Sequence, residues 1–503
     1  MKKILFISCF ILTLFCNCSK DENIINDDIN EENINITTNL PPTNFNIEVE
    51  QVKHNSALLK WNKSTDPENT TIKYSVFLEN KLVQDNIYEF ELKIEDLTEI
   101  TIYNGYIIAE DEGKKTTKIN FTFSTKKYYL TFTKEYGAIN NGYVDIIPSL
   151  QEVLITNDEG YLFSGSLGGT FFTTKIDKKG DEIWFKQYDI ERGNGFAEIK
   201  ETFDNGYIIV GGYSLLKINE NGDLQWDKIL DCKQNNNCLI ESVVQTADGG
   251  YLAVGVYSAD SPQTTNIANL AYIIKLDIKG NILWEKKIGD SFSQEVKDIL
   301  ANDNGTYTLF GAKEKGTMTW ESFVSGNGYW DNNFWVVKID ENGNVLNEYI
   351  YGDGRMDFPR KIIKTSNDNF VFIGNSWGAY NISESVIYKI DDKGNIIWKT
   401  YFQYGSEDVV NSVVEDKNGD LITIGNITDG AFGEMGLYKF NSNGNLTWEK
   451  QYIDFDTNTD GYDLKITNDN GFIIASHYEI TSTIPYKSYA RILKTDPEGN
   501  FDK

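Results

Sequence analysis

From Tyr128 onward, short apolar runs alternate with polar turns, and two turn signatures take strict turns along the chain. The first is a polar turn that opens onto an apolar strand. Its seven copies are Asp158-Glu159-Gly160-Tyr161, Asp204-Asn205-Gly206-Tyr207, Asp248-Gly249-Gly250-Tyr251, Asp303-Asn304-Gly305-Thr306, Asn367-Asp368-Asn369-Phe370, Lys417-Asn418-Gly419-Asp420 and Asp469-Asn470-Gly471-Phe472. The second is Lys-apolar-Asp/Asn, then a Gly, then a Trp. It runs through Lys175-Ile176-Asp177 with Gly180 and Trp184, Lys217-Ile218-Asn219 with Gly222 and Trp226, and Lys275-Leu276-Asp277 with Gly280 and Trp284. Lys338-Ile339-Asp340 with Gly343 follows, where Asn347 replaces the Trp. Lys389-Ile390-Asp391 with Gly394 and Trp398, Lys439-Phe440-Asn441 with Gly444 and Trp448, and Lys494-Thr495-Asp496 with Gly499 complete the series. Asn, Asp and Gly tolerate positive φ, so both signatures are tight-hairpin chemistry. Each unit then holds four short strands, and four-stranded units returning every ~40–50 residues predict a β-propeller. Seven copies of each signature predict seven blades.

The ends of this array fit a closed ring. Tyr129 to Gly137 reads like the strand that follows each Lys-x-Asp turn, and the last turn, at Gly499, is followed by too few residues to supply that strand. The segment at the start of 128–503 is therefore expected to provide the outer strand of the last blade, pairing an otherwise open edge. The repeating Trp resembles the docking Trp of quinoprotein-like propellers, which implies that Trp184, Trp226, Trp284, Trp398 and Trp448 pack between blades. The lysines of the same signature, Lys175 and its counterparts, are expected as solvated or stacked strand residues rather than as a cationic site.

Residues 44–126 alternate differently. Period-two runs such as Asn44–Val49, a strand ending in Trp61, and further apolar runs at 72–78, 107–109 and 119–123 are separated by turns, the pattern of a β-sandwich. Pro41-Pro42 at the opening, Trp61, and Leu97, Thr101 and Tyr103 at a corner spacing resemble a fibronectin type III domain. That resemblance implies a spacer or adhesion module in which the Tyr103 hydroxyl bonds backbone at the corner. The chain is thus expected to be all-β, a fibronectin type III-like β-sandwich followed by a seven-bladed β-propeller.

The start of the chain carries an address. Met1-Lys2-Lys3 precedes an apolar run from Ile4 to Phe15, too short to cross a bilayer and suited to a signal peptide. A cysteine follows at once. Cys18 is the expected lipidation site, although Asn17 stands where a small residue is usual, and Cys16 is the alternative. Cys18-Ser19-Lys20-Asp21-Glu22 resembles the export signal of Bacteroidetes-type surface lipoproteins, with Lys20, Asp21 and Glu22 as its Lys and two acids. The reading is a signal peptide over 1–17, a flexible Asn- and acid-rich stalk over 18–43, and a palmitate-type lipid anchor in the bacterial outer membrane, facing the cell surface. Several acyl chains on one Cys give a stable anchor where one alone is marginal.

Charge and composition narrow the function. The 503 residues carry a formal charge of -28, and removing 1–17 takes away two lysines and no acid, which deepens it. Such a surface disfavours nucleic acid and anionic lipid, so the partner classes left are the membrane through its lipid, and a glycan or envelope protein. With 2 His in the chain, a His-based metal centre or a Ser-His-Asp triad has no basis, and neither a metal nor a cofactor is expected. Cys232 and Cys238 suit a local disulfide in an exported protein.

The long insertions Tyr257–Leu270, Ala312–Phe334, Asn375–Ser385 and His477–Ser488 all fall on one face, opposite the tight turns. Long loops on one rim of a scaffold are where binding usually resides. Trp320, Phe323, Tyr329 and Trp330, then Trp377 and Tyr380, are the candidate ligand-binding residues, because solvent-side aromatics beside acids suit sugar stacking or a protein hot spot. The leading reading is a non-catalytic binding, adhesion or scaffold protein. The alternatives are a polysaccharide-degrading enzyme of glycoside hydrolase type using rim carboxylates, and a structural subunit of an envelope complex.

Overall fold

The computed structural model describes residues 38–137, 139–140, 145–146, 149–191, 197–232, 238–260, 267–289, 293–314, 332–353, 355–377, 383–403, 408–429, 432–452, 457–480 and 487–501. The chain divides into two compact units, Met1–Tyr128 and Tyr129–Lys503.

The first unit contains two antiparallel sheets. One is three-stranded, with Ala57–Trp61 between Ile47–Glu50 and Glu91–Ile94; the other orders Lys81–Ile87, Lys73–Leu78, Ile102–Glu110 and Thr116–Ser124. Alternate residues of both sheets, among them Leu59, Trp61, Tyr74, Val76, Ile107 and Phe121, form one buried core. The Thr98 amide donates to the Tyr103 hydroxyl at 2.8 Å, the corner bond expected for that tyrosine.

The second unit is a ring of seven four-stranded antiparallel sheets, the all-β propeller that the repeats predict. The inner strands are Ser149–Ile155, Glu198–Glu201, Cys238–Gln245, Gln294–Ala301, Met356–Lys364, Val409–Glu415 and Thr457–Ile466, and they define blades 1 to 7. Each inner strand touches the next, and that of blade 7 touches that of blade 1. The outer strand of blade 7 is Phe132–Gly137, paired with Lys487–Lys494 in a register running from Tyr489 opposite Gly137 to Lys494 opposite Phe132. The N-terminal segment therefore closes the ring.

Both turn signatures fold as local chemistry dictates. In the Lys-x-Asp turn the aspartate carboxylate accepts two backbone amides: Asp277 Oδ1, for example, takes Lys279 N and Asn281 N, each at 2.8 Å. The glycine that follows sits at positive φ, +80° at Gly280, and a Cβ there would lie 2.7 Å from the Trp226 ring of the preceding blade. The same Gly-on-ring contact joins Trp184 to Gly222, Trp284 to Gly343 and Trp398 to Gly444. Where Asn347 stands in the Trp position, Tyr349 two residues on packs on Gly394 instead, and at the closure Phe132 packs on Gly180. An aromatic ring and a glycine thus form the joint at six of the seven blade interfaces; at the seventh, the Tyr452 hydroxyl donates to the Gly499 carbonyl at 2.9 Å.

The signature lysines differ from the sequence expectation. Four of the seven are not solvated, since Lys217, Lys275, Lys389 and Lys494 are buried; Lys175, Lys338 and Lys439 are half-buried, with Lys338 stacked over the Phe370 ring. Within the same blade, Lys175, Lys217, Lys275, Lys439 and Lys494 reach Asp158, Asp204, Asp248, Asp416 and Asp469 at 2.8, 3.1, 2.8, 2.8 and 3.0 Å. In five of the seven blades the two signatures are halves of one ion pair, which a reading of each turn by itself does not reveal.

Candidate functional site

The inner strands carry a second regularity. In six of the seven, the pairing with the adjacent strand slips by one residue, between Leu150 and Glu152, Ile240 and Ser242, Val296 and Asp298, Pro359 and Lys361, Val410 and Ser412, and Gly461 and Asp463. A β-bulge leaves one residue unpaired and re-aims its side chain. The skipped residues are Gln151, Glu241, Lys297, Arg360, Asn411 and Tyr462, with Ala197 at the matching place in blade 2. All seven line one axial cavity of about 140 Å³.

The residue after each bulge ties its blade to the next. Glu152 Oε2 accepts Ile199 N at 2.9 Å, and Glu198 Oε2 accepts Val243 N at 3.0 Å. Ser242 Oγ donates to Asp298 Oδ1 at 3.0 Å, while Asp298 Oδ2 accepts Ile362 N at 2.9 Å. Lys361 Nζ donates to Ser412 Oγ at 3.3 Å, and Ser412 Oγ donates to Asp463 Oδ1 at 2.5 Å. Asp463 Oδ2 then accepts Val153 N of blade 1 at 3.2 Å. Seven links run from blade 1 round to blade 1, a closed girdle about the axis. The bulge frees an inner-strand amide from its ladder partner, and a buried unpaired amide is costly, so a carboxylate from the preceding blade fills the vacancy at Val243, Ile362 and Val153, and Glu152 caps Ile199 of the unbulged blade 2 in the same way.

Lysines balance these buried acids. Lys361 reaches Asp463 at 2.8 Å and, across the axis, Glu152 at 3.7 Å; Lys465 pairs with Asp463 and Lys200 with Glu198, each at 2.5 Å. Burial alone would raise the Asp463 carboxyl, but Lys361 and Lys465 outweigh it and hold Asp463 well below the usual carboxylate range. Glu198 goes the other way: burial pushes it up to about 7 against the pull of Lys200. A carboxyl raised on folding contributes stability that is intact below its unfolded value and is lost as the pH climbs through the folded one. Between pH 5 and pH 8 the wild-type protein is therefore expected to lose roughly 1–3 kcal/mol more than Glu198→Gln does, as measured by urea unfolding at both pH values. Equal losses in the two proteins would refute this.

A second depression lies on the face of the long connections. It has a volume of about 240 Å³ and is lined by Asn269, Glu295, Glu314, Asn332, Met356 and Phe358 among others. Phe358 packs on Trp377, ring centroids 5.4 Å apart, and Trp377 is 40% exposed. Asn332 Nδ2 donates to the Asp357 carbonyl at 3.0 Å, and Glu314 Oε2 accepts the Ser293 amide at 3.2 Å, so the polar walls are held by backbone contacts. Beneath them burial raises the Asp357 carboxyl to about 7, with Ser376 Oγ donating to it.

Of the sequence candidates, Trp377 is placed beside this pocket. Trp320, Phe323, Tyr329, Trp330 and Tyr380 lie outside the described residues, as do Cys16, Cys18, Lys20, Asp21 and Glu22. Part of what reads as long loop is strand: Tyr251–Asp260 and Ile267–Leu276 pair along their whole length. Cys232 and Cys238 are joined by a disulfide, with Cα atoms 5.8 Å apart. The girdle had its own sequence signal, a polar residue before an apolar one in each inner strand: Glu152-Val153, Glu198-Ile199, Ser242-Val243, Asp298-Ile299, Lys361-Ile362, Ser412-Val413 and Asp463-Leu464. No helix among the described residues is long and apolar enough to cross a membrane.

The sequence matches no family model and no curated protein. Among solved structures it is similar to the polysaccharide lyase Uly1, with 9% identity and a TM-score of 0.45 over 72% of this chain and 94% of that one. It is also similar to BBS1N in its complex with ARL6DN, with 11% identity and a TM-score of 0.40 over 74% and 99%. The exotype rhamnogalacturonan lyase YesX gives 10% identity and a TM-score of 0.37 over 90% and 89%. All three scores fall below 0.5, and the closed ring of seven sheets carries the fold by itself.

Proposed function

We propose that this chain is a lipid-anchored binding protein of the bacterial cell surface. In this reading Cys18 bears the lipid, residues 18–43 form a stalk, a fibronectin type III-like domain acts as spacer, and the propeller captures a glycan at its long-connection rim. The observation that carries the proposal is the rim pocket: the Phe358–Trp377 ring pair stands beside Asn269, Asn332, Glu295 and Glu314. An aromatic face covers the apolar face of a sugar ring, and amides and carboxylates bond its hydroxyls.

The test is binding of the purified protein to a panel of neutral polysaccharides, with released sugar monitored in parallel. Trp377→Ala is expected to weaken glycan binding about tenfold, the loss of roughly 1.4 kcal/mol that an aromatic anchor supplies. Released sugar would favour the hydrolytic alternative. Absence of binding across the panel would overturn the glycan reading and turn the search to envelope proteins.

A further inference from the structure

The seven side chains re-aimed at the axis are not equally provided for. Gln151 Oε1 accepts the Ala197 amide at 2.5 Å, Asn411 Nδ2 donates to the Gly461 carbonyl at 2.8 Å, and Lys297 pairs with Glu241 at 2.8 Å. Arg360 makes no hydrogen bond and no ion pair with any described residue, and its Nε is wholly buried. Glu241 and Glu295 lie near it and are shared with Lys297, which stands 2.8 Å from the first and 3.8 Å from the second. Burial lowers the Arg360 pKa while Glu241 and Glu295 pull it back up, so the group stays charged.

The choice of residue is informative. The chain has four arginines, and nearly all its other cations are lysines. A guanidinium differs from an ammonium in offering a planar fork of donors that matches a carboxylate in two parallel bonds. Arg360 is half-buried and lines the cavity; only its Nε is shut away without a hydrogen bond, which leaves the terminal nitrogens of the fork able to meet a ligand. The bulge after Pro359 turns this fork into a cavity of about 140 Å³, near the volume that holds a six-membered ring. The amides of Gln151 and Asn411 line the same cavity, which suits hydroxyl groups on the body of a ligand.

We infer that the axial cavity is a binding site for a small hydroxylated carboxylate, a sugar acid, held by its carboxylate on Arg360. The site does not depend on the rim pocket, since Trp377 and Phe358 take no part in it.

The test is calorimetric titration of the full protein with glucuronate, with glucose, acetate and inorganic phosphate as comparators. Glucuronate is expected to bind saturably and glucose not at all. Arg360→Gln should weaken glucuronate at least tenfold, Arg360→Lys should restore part of the loss, and Trp377→Ala should leave it unchanged. In the wild-type protein glucuronate should also protect Arg360 from phenylglyoxal, mapped by mass spectrometry, a readout that needs no variant to fold. Affinity undiminished in Arg360→Gln, or modification of Arg360 undiminished by glucuronate, would overturn the assignment. Phosphate binding as tightly as glucuronate would overturn the carboxylate specificity.

Discussion

Asp463→Asn is expected to be among the most destabilising single substitutions in the propeller, at about 3–5 kcal/mol near neutral pH. The change is nearly isosteric, so no cavity opens. What it removes is charge. Lys465 at 2.5 Å would lose its ion-pair partner, Lys361 at 2.8 Å would keep only the more distant Glu152 at 3.7 Å, and the acceptor for Val153 N would weaken. Breaking one partner of a buried charge cluster leaves the other uncompensated, and that residue of charge carries most of the cost. The effect should depend on pH in a fixed sense. Lysines hold the Asp463 carboxyl below its ordinary value, so its contribution is complete above that value and is lost only as the pH falls through the lowered one. Thermal melts of the two proteins should therefore differ most near neutrality and converge in strong acid. A loss below about 1 kcal/mol at pH 7 would mean that the two lysines find other acids, and that the seventh link is not needed for closure.

Removing the closing strand should have a larger effect still. A fragment beginning at residue 138 lacks Phe132–Gly137, leaving the Lys487–Lys494 strand as an open edge and taking Phe132 and Tyr136 away from the core they cover between blades 7 and 1. Unpaired edges recruit other chains. The fragment is expected to associate or aggregate where the full chain stays dispersed, as read by light scattering. A peptide of residues 129–137 added in trans should reduce that association. A dispersed fragment with the full chain's melting temperature would show that the ring holds without its clasp.

The fold was largely legible because propeller interfaces repeat. Gly222, Gly280 and Gly444 recur with Trp184, Trp226 and Trp398 since each glycine is the floor for the previous blade's ring. The Lys-to-Asp pairing was not legible, because Lys175 and Asp158 belong to different turns and meet only across the Tyr161–Leu167 and Thr170–Ile176 hairpin. The girdle was hidden for another reason. Its seven positions hold Glu, Ser, Asp and Lys, four chemistries for one task, so no single residue type marks it. A bulge is also invisible to a period-two reading, which would send Arg360 and Lys361 to opposite faces when both serve the axis. Of the rim aromatics, Trp377 was identifiable from its place near the start of the insertion Asn375–Ser385, whereas Phe358 was not, since it lies on an inner strand and meets Trp377 across the blade.

The clasp between Phe132–Gly137 and Lys487–Lys494 joins the two ends of the repeat array, and this fixes when the ring can be finished. The first of these strands is synthesised well before its partner. At the usual pace of synthesis the interval is on the order of half a minute. Throughout it, blade 1 lacks its neighbour, the Val153 amide lacks Asp463, and the closing strand has nothing to pair with. Long-range pairing of this kind comes late in folding. The clasp is therefore among the last contacts of the ring to form, and until it does the edge of the Lys487–Lys494 strand stays open.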